Sequence, residues 1–175
     1  MKRPKLFSLL AASGSAIALL VLPATLSAAD GKPTREPVPD AANTATYRAG
    51  RVCAFRLHLE PVVNNEYSLT FPAEANGDVR QIVDGYLLTR FTNLDTGKSI
   101  DLNTSAKNTL VFHADGFTSI ETSGPQVVII LAIGGRIPSA TVNYGHGVFT
   151  QFPNGFLDIV SQTGTQFDIC AALSS

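Results

Sequence analysis

The sequence predicts an all-β domain: an antiparallel up-and-down meander that closes, or nearly closes, into a barrel, with a two-sheet β-sandwich as the alternative. Apolar and polar side chains alternate with a period of two through most of the chain after residue 51, the mark of strands with one buried face. Asn-Gly, Asp-Gly and Gly-Pro turns punctuate that alternation too closely for parallel crossovers, which need roughly a dozen residues or more. Cys53 and Cys170, the only two cysteines, stand near the two ends of the alternating region. Pairing them would bring the first and last strands together, as a barrel or a nearly closed sandwich requires.

Three segments are expected along the chain. Residues 1–29 read as a secretory signal peptide: Lys2, Arg3 and Lys5, an apolar run from Leu6 to about Leu22, and the small residues Ser27-Ala28-Ala29 before Asp30. Cleavage there would place the mature chain outside the cell, with nothing to anchor it in a membrane. Residues 30–50 read as a linker or docked arm, because Pro33, Pro37 and Pro39 alternate with charges and disfavour helix. Residues 51–175 form a single β domain.

Within it, Cys53, Phe55, Leu57 and Leu59 alternate with polar partners, giving a first strand that Pro61 ends. Tyr67 to Phe71 is the second, before the Asn76-Gly77 turn. A long third strand runs from about Val79 to Thr92. The loop Asn93-Leu-Asp-Thr-Gly97 then leads into Ser99–Asn103. Thr109–Ala114 and Phe117–Thr122 flank Asp115-Gly116, the preferred sequence of a two-residue type I′ hairpin. Val127–Ile133, Ala140–Phe152, Phe156–Val160 and Thr165–Ile169 complete the series. No helix of ten residues is expected after the signal.

Two details need a structural resolution. Cys53 shares parity with the inward Phe55, but Cys170 has the opposite parity to Phe167 and Ile169; a bulge, or a cysteine just outside its strand, must reconcile them. Val127–Ile133 is seven apolar residues without alternation, so both its faces must be covered. The 30–50 arm is the preferred cover and a second subunit the alternative, which makes this segment a candidate homo-oligomer contact.

Composition excludes several functions. Losing Lys2, Arg3 and Lys5 leaves ten basic residues against 14 acidic ones, and the basic ones are scattered, so nucleic acid is not an expected partner. No G-x-S-x-G elbow, H-E-x-x-H motif, Cys/His cluster or D-x-D-x-D-G loop occurs, so no catalytic residue, metal or cofactor is assigned. The carboxylates Asp84, Asp101, Glu121, Asp158 and Asp168 lie on different expected strands. His58 and His113 fall on the polar phase of theirs. His146 differs: it shares parity with Val142, Tyr144 and Val148 and is flanked by Gly145 and Gly147. If that face lined a barrel interior, Tyr144 and His146, joined by Tyr86 and Asp84, would offer polar tips in an apolar cavity suited to a small ligand.

Read together, Cys53, the Thr92-Asn-Leu-Asp-Thr-Gly-Lys-Ser99 hairpin, the Asp115-Gly116 turn and Asp168-Ile-Cys-Ala-Ala172 resemble a broad group of small, mostly uncharacterised secreted β-rich proteins of actinobacteria. The resemblance implies a bacterial, extracellular β domain and transfers no catalytic residue. The functional expectation is therefore a secreted, non-catalytic domain that binds a small apolar ligand or a protein partner. The alternatives are an extracellular hydrolase whose residues converge from separate strands, and a structural, self-associating protein.

Overall fold

The structure is a computed structural model that describes residues 31–174; the expected signal peptide, 1–29, lies outside them. Eleven strands form two antiparallel sheets. They are β1 (Thr34–Pro37), β2 (Ala45–Tyr47), β3 (Leu57–Asn64), β4 (Tyr67–Thr70), β5 (Val79–Asp84), β6 (Leu87–Asn93), β7 (Ser99–Asn103), β8 (Lys107–Phe112), β9 (Thr118–Ile130), β10 (Ser139–Gln151) and β11 (Leu157–Asp168). A six-residue helix, α1 (Ile169–Ser174), follows. The seven-stranded sheet runs β1-β4-β5-β8-β9-β10-β11 and the four-stranded sheet β2-β3-β6-β7.

The pairing is antiparallel throughout, as expected, but the up-and-down meander and its closure into a barrel are corrected: β1–β4, β5–β8 and β3–β6 are neighbours that are not consecutive, the large sheet ends at β1 and β11, and the small one at β2 and β7, which fits the two-sheet alternative. The reason lies in strand breaks that alternation alone does not reveal. The expected strand Val79–Thr92 is two strands, because the chain turns at Gly85 and passes from one sheet to the other. At Gly85 φ is +131°, and a Cβ there would overlap the Asn65 carbonyl oxygen, so backbone packs directly on backbone. Asn65-Glu66 divides β3 from β4 in the same way, and residues 104–106 divide β7 from β8.

These breaks belong to an internal repeat. Gly77, Gly116 and Gly155 are spaced 39 residues apart and close three turns of one design: Glu74–Asp78, His113–Phe117 and Phe152–Phe156. In each, the Gly N–H donates to the carbonyl three residues earlier, and the Asn or Asp before it accepts from the N–H two residues on. This is a three-residue loop with a left-handed Gly, so the two-residue type I′ turn expected at Asp115-Gly116 is corrected. Gly124 follows Gly85 by the same period, and Gly164 follows one residue late because Val160 is a bulge in the β10–β11 ladder. Residues 57–168 are thus three bent hairpin units: 57–93, 99–130 and 139–168.

The last unit and a half folds back sharply. Gly124, Gly145 and Gly164 are register partners across β9, β10 and β11. A straight pair of thirteen-residue strands would hold the two ends of the β9–β10 hairpin roughly 40 Å apart. Instead Arg136, in the loop at one end, donates to the Leu157 carbonyl at 2.7 Å beside the other. The halves beyond the glycines are therefore packed on both faces. Ile129, Ala140 and Val142 join Leu57 and Phe91 of the small sheet and Leu173 of α1. Val128, on the opposite face of its strand, joins Val83, Leu110, Ile120 and Phe149 of the large sheet. This double burial explains the unalternating run only as far as Leu131; β9 ends at Ile130, and Ala132 and Ile133, expected to be covered, are exposed in the loop that follows. The run's cover is mainly the chain's own two sheets, with Ala45 and Tyr47 of the arm contributing on one side and Val38 on the other.

Cys53 and Cys170 form a disulfide with Cα atoms 5.4 Å apart. The parity conflict resolves because neither cysteine lies in a strand. Cys170 is in α1, whose start is capped by Asp168 Oδ1 accepting from the Ala171 N–H. The strand expected from Cys53 begins only at Leu57, and Pro61, expected to end it, lies within β3, next to a shift in its register with β6.

Candidate functional site

The expected site residues do not converge on an interior cavity. His146 and Tyr144 are on the solvent face of β10; Tyr144 is 42% exposed, and His146 Nε2 lies 3.0 Å from Glu121 Oε1. Asp84 ends β5, three strands away, roughly 14 Å across the sheet. Its carboxylate accepts from the Gly85 N–H at 2.8 Å. Tyr86 sits exposed in the break between β5 and β6. The parity that grouped Tyr144 with His146 holds, but the face they share with Ala140 and Val142 is buried only at those two residues; toward and beyond the bend at Gly145 it opens to solvent. The parity that grouped Asp84 with Tyr86 fails at Gly85.

Two polar constellations that alternation did not reveal stand out. The first joins turns that the 39-residue repeat sets side by side. His113 Nδ1 lies 2.9 Å from Asp78 Oδ2, and His113 Nε2 lies 2.8 Å from Ser119 Oγ. With Nδ1–H donating to the carboxylate, Nε2 accepts from the serine hydroxyl. That is the connectivity of a nucleophilic triad. The hydrogen bond from His113, then the one from the Ala114 N–H, hold the Asp78 carboxyl below the usual carboxylate range. Ser119, however, is paired within the β8–β9–β10 ladder, opposite Val111 and Thr150. Next to it, Phe117, Phe152 and Phe156 make two edge-to-face contacts, and the Arg136 guanidinium covers Phe156.

The second constellation is on the inside of the fold-back. Thr122, Gln126, Asn143 and Gln162 carry buried side-chain polar atoms without a hydrogen-bond partner. Their parity relative to the core was readable; their convergence depends on the bend at Gly124, Gly145 and Gly164. Among the described residues, no group of three or more His, Cys, Asp or Glu is placed to hold a metal ion.

Glu66 and Tyr47 are perturbed by burial. Desolvation raises the Glu66 carboxyl, against the lowering effect of a hydrogen bond from Asn43. The Tyr47 phenol is pushed up to about 12.

The two outer edges of the large sheet differ. β1 is four residues, Thr-Arg-Glu-Pro, with a charge pair and a proline. Such features protect an edge from pairing with another strand. β11 is twelve residues without proline, charged only at Asp158 and Asp168, and Val160 on it is 63% exposed. Phe156 and Phe167 are exposed at its two ends. The chain matches no known family model, no curated protein and no solved structure.

Proposed function

We propose that the chain is an exported, non-catalytic binding domain that takes an extended segment of a protein partner along β11. The carrying observation is the contrast between the sheet's two edges, one of four residues, charged and ended by proline, the other of twelve, free of proline and interrupted only by the bulge at Val160. An unprotected edge offers main-chain hydrogen bonds to an added strand, and exposed apolar side chains beside it supply selectivity. Val160, Phe167 and Tyr144 fill that second role. Packed side chains occupy both core clusters, which favours the protein-partner reading over a small apolar ligand. Export supports the reading through the Cys53–Cys170 disulfide, which persists in oxidising compartments.

The test is selection of extended peptides from a displayed library on the purified chain, with Val160→Lys as counter-selector. The expected result is peptides that slow amide exchange along β11 and lose binding to V160K. Peptides that bind both proteins equally, or a library that yields none, would contradict the proposal.

A second reading, an extracellular hydrolase, is favoured by the Asp78–His113–Ser119 distances alone. It predicts turnover of activated esters that Ser119→Ala abolishes; equal turnover by both proteins removes it.

A further inference from the structure

We propose that the inside of the β9–β10–β11 fold-back is a closed hydration site, in which ordered water links Thr122, Gln126, Asn143 and Gln162. Thr122, Gln126 and Asn143 are each at least nine-tenths buried, and the Gln162 Nε2 is buried too. Thr122 Oγ1, both polar atoms of the Gln126 amide, Asn143 Oδ1 and Gln162 Nε2 all lack a protein partner. Leaving five such groups dry would cost an amount comparable to the whole stability of a domain this size.

Three of the four side chains meet at Gly147, and Asn143 is the cross-strand partner of one of them. Thr122 and Gln162 flank Gly147 in the register of β9, β10 and β11. Gln126 pairs with Asn143 four residues away, yet the fold-back brings its Nε2 to within 2.5 Å of where a Gly147 Cβ would stand. The Phe149 ring stands equally close, its Cε2 at 2.5 Å, so the absence of a side chain at Gly147 is what admits the Gln126 amide and the ring.

The donor set identifies the guest. The site presents amide N–H donors, amide oxygens and one hydroxyl, with no charged side chain among the four residues. A cation would want oxygens only and an anion donors only; a mixed neutral set suits a neutral molecule that both donates and accepts. Water bridging two to four buried polar groups is that molecule in protein interiors.

The repeat supplies an independent argument. One period earlier, Thr122 and Gln126 correspond to Val83 and Leu87, both buried and apolar. The bend thus packs with aliphatic residues in the first unit. Polar residues at the same places in the second unit, and Gln162 in the third, are not a requirement of the turn.

The experiment is water–protein cross-relaxation NMR on the whole chain, reading the side-chain amide protons of Gln126, Asn143 and Gln162. Long-lived water is expected at all three, and none at the exposed Gln166. Thr122→Val with Gln126→Leu, which installs the first unit's residues, should then abolish the water signal at Gln162. Absence of long-lived water from all three amides in the folded wild-type chain would overturn the proposal. So would a crystal structure in which the four side chains bond directly to one another, or in which they enclose a molecule larger than water.

Discussion

The bend of the first hairpin unit and the bend shared by the second and third are built from the same repeat with opposite chemistry. At the first, Val83 and Leu87 bury aliphatic side chains around Gly85, whose backbone rests on that of Asn65 and Glu66. At the second, Thr122, Gln126, Asn143 and Gln162 surround Gly147 with unpartnered polar atoms. The first bend splits a strand between two sheets; the second folds a continuous hairpin back on itself. The difference teaches that glycine placement sets where the chain turns, while the neighbouring side chains decide whether the inside of the turn is dry or wet.

The largest expected effect comes from the disulfide, which ties the entry to the first unit to the exit from the third. The loop it closes spans 117 residues, for which the chain-entropy picture gives roughly 4–5 kcal/mol. Cys53→Ala with Cys170→Ala should lower the urea midpoint accordingly; an unchanged midpoint would mean that the two bends hold the ends without it.

Next, Gly85→Ala should cost about 3 kcal/mol or more, because backbone atoms of Asn65 and Glu66 occupy the space and cannot yield. Gly124→Ala meets its nearest atoms only at 3.5 Å, so it should cost only the positive φ, about 1–2 kcal/mol. Equal costs in chemical unfolding would erase the distinction between Gly85 and Gly124.

The side chains sharpen it further. Leu87→Ala should cost about 2–3 kcal/mol by leaving a cavity. Gln126→Leu, at the corresponding position, should stay within about 1 kcal/mol of wild type, since it removes two buried polar atoms while keeping bulk. A large loss for both would show that the second bend depends on its polar residues as much as the first does on its apolar ones.

The smallest effect is a pH dependence with two signs. Burial raises Glu66 at the first bend, so its contribution is fully present below the ordinary Glu value of about 4.3 and is lost as pH rises through its folded value. Glu66→Gln should therefore raise the melting temperature at neutral pH and flatten its dependence in that window. Asp78 is lowered, mainly by His113, so its contribution is present above about pH 3.9 and is lost as pH falls through its folded value. Asp78→Asn should remove that acid-side loss. A profile that either substitution leaves unchanged would detach that group from the bend or the turn.

Much of this was legible in the sequence, because local chemistry encodes it. Asn76-Gly77, Asp115-Gly116 and Asn154-Gly155 mark three of the turns, and the apolar run from Val127 states that both faces are buried, which holds as far as Leu131. What covers that run was not legible, since it depends on a fold-back about a glycine row that only register reveals. Gly85 looked like one residue of a long alternating strand because alternation is silent about a glycine that changes sheets. The clearest missed signal was the 39-residue spacing of the turn glycines, which would have placed Asp78 beside His113. His113 belongs to a turn, so its strand parity carried no information about its partners.

The fold-back of β9 and β10 is the physical claim on which the wet bend, the double-sided core and the bare β11 edge all depend. Spin labels at Ile137 and Asn154, both exposed, read it directly by pulsed dipolar spectroscopy. The distance should be short, because Arg136 is bonded to Leu157 and Asp158. A distance near the roughly 40 Å of a straight thirteen-residue hairpin would contradict it.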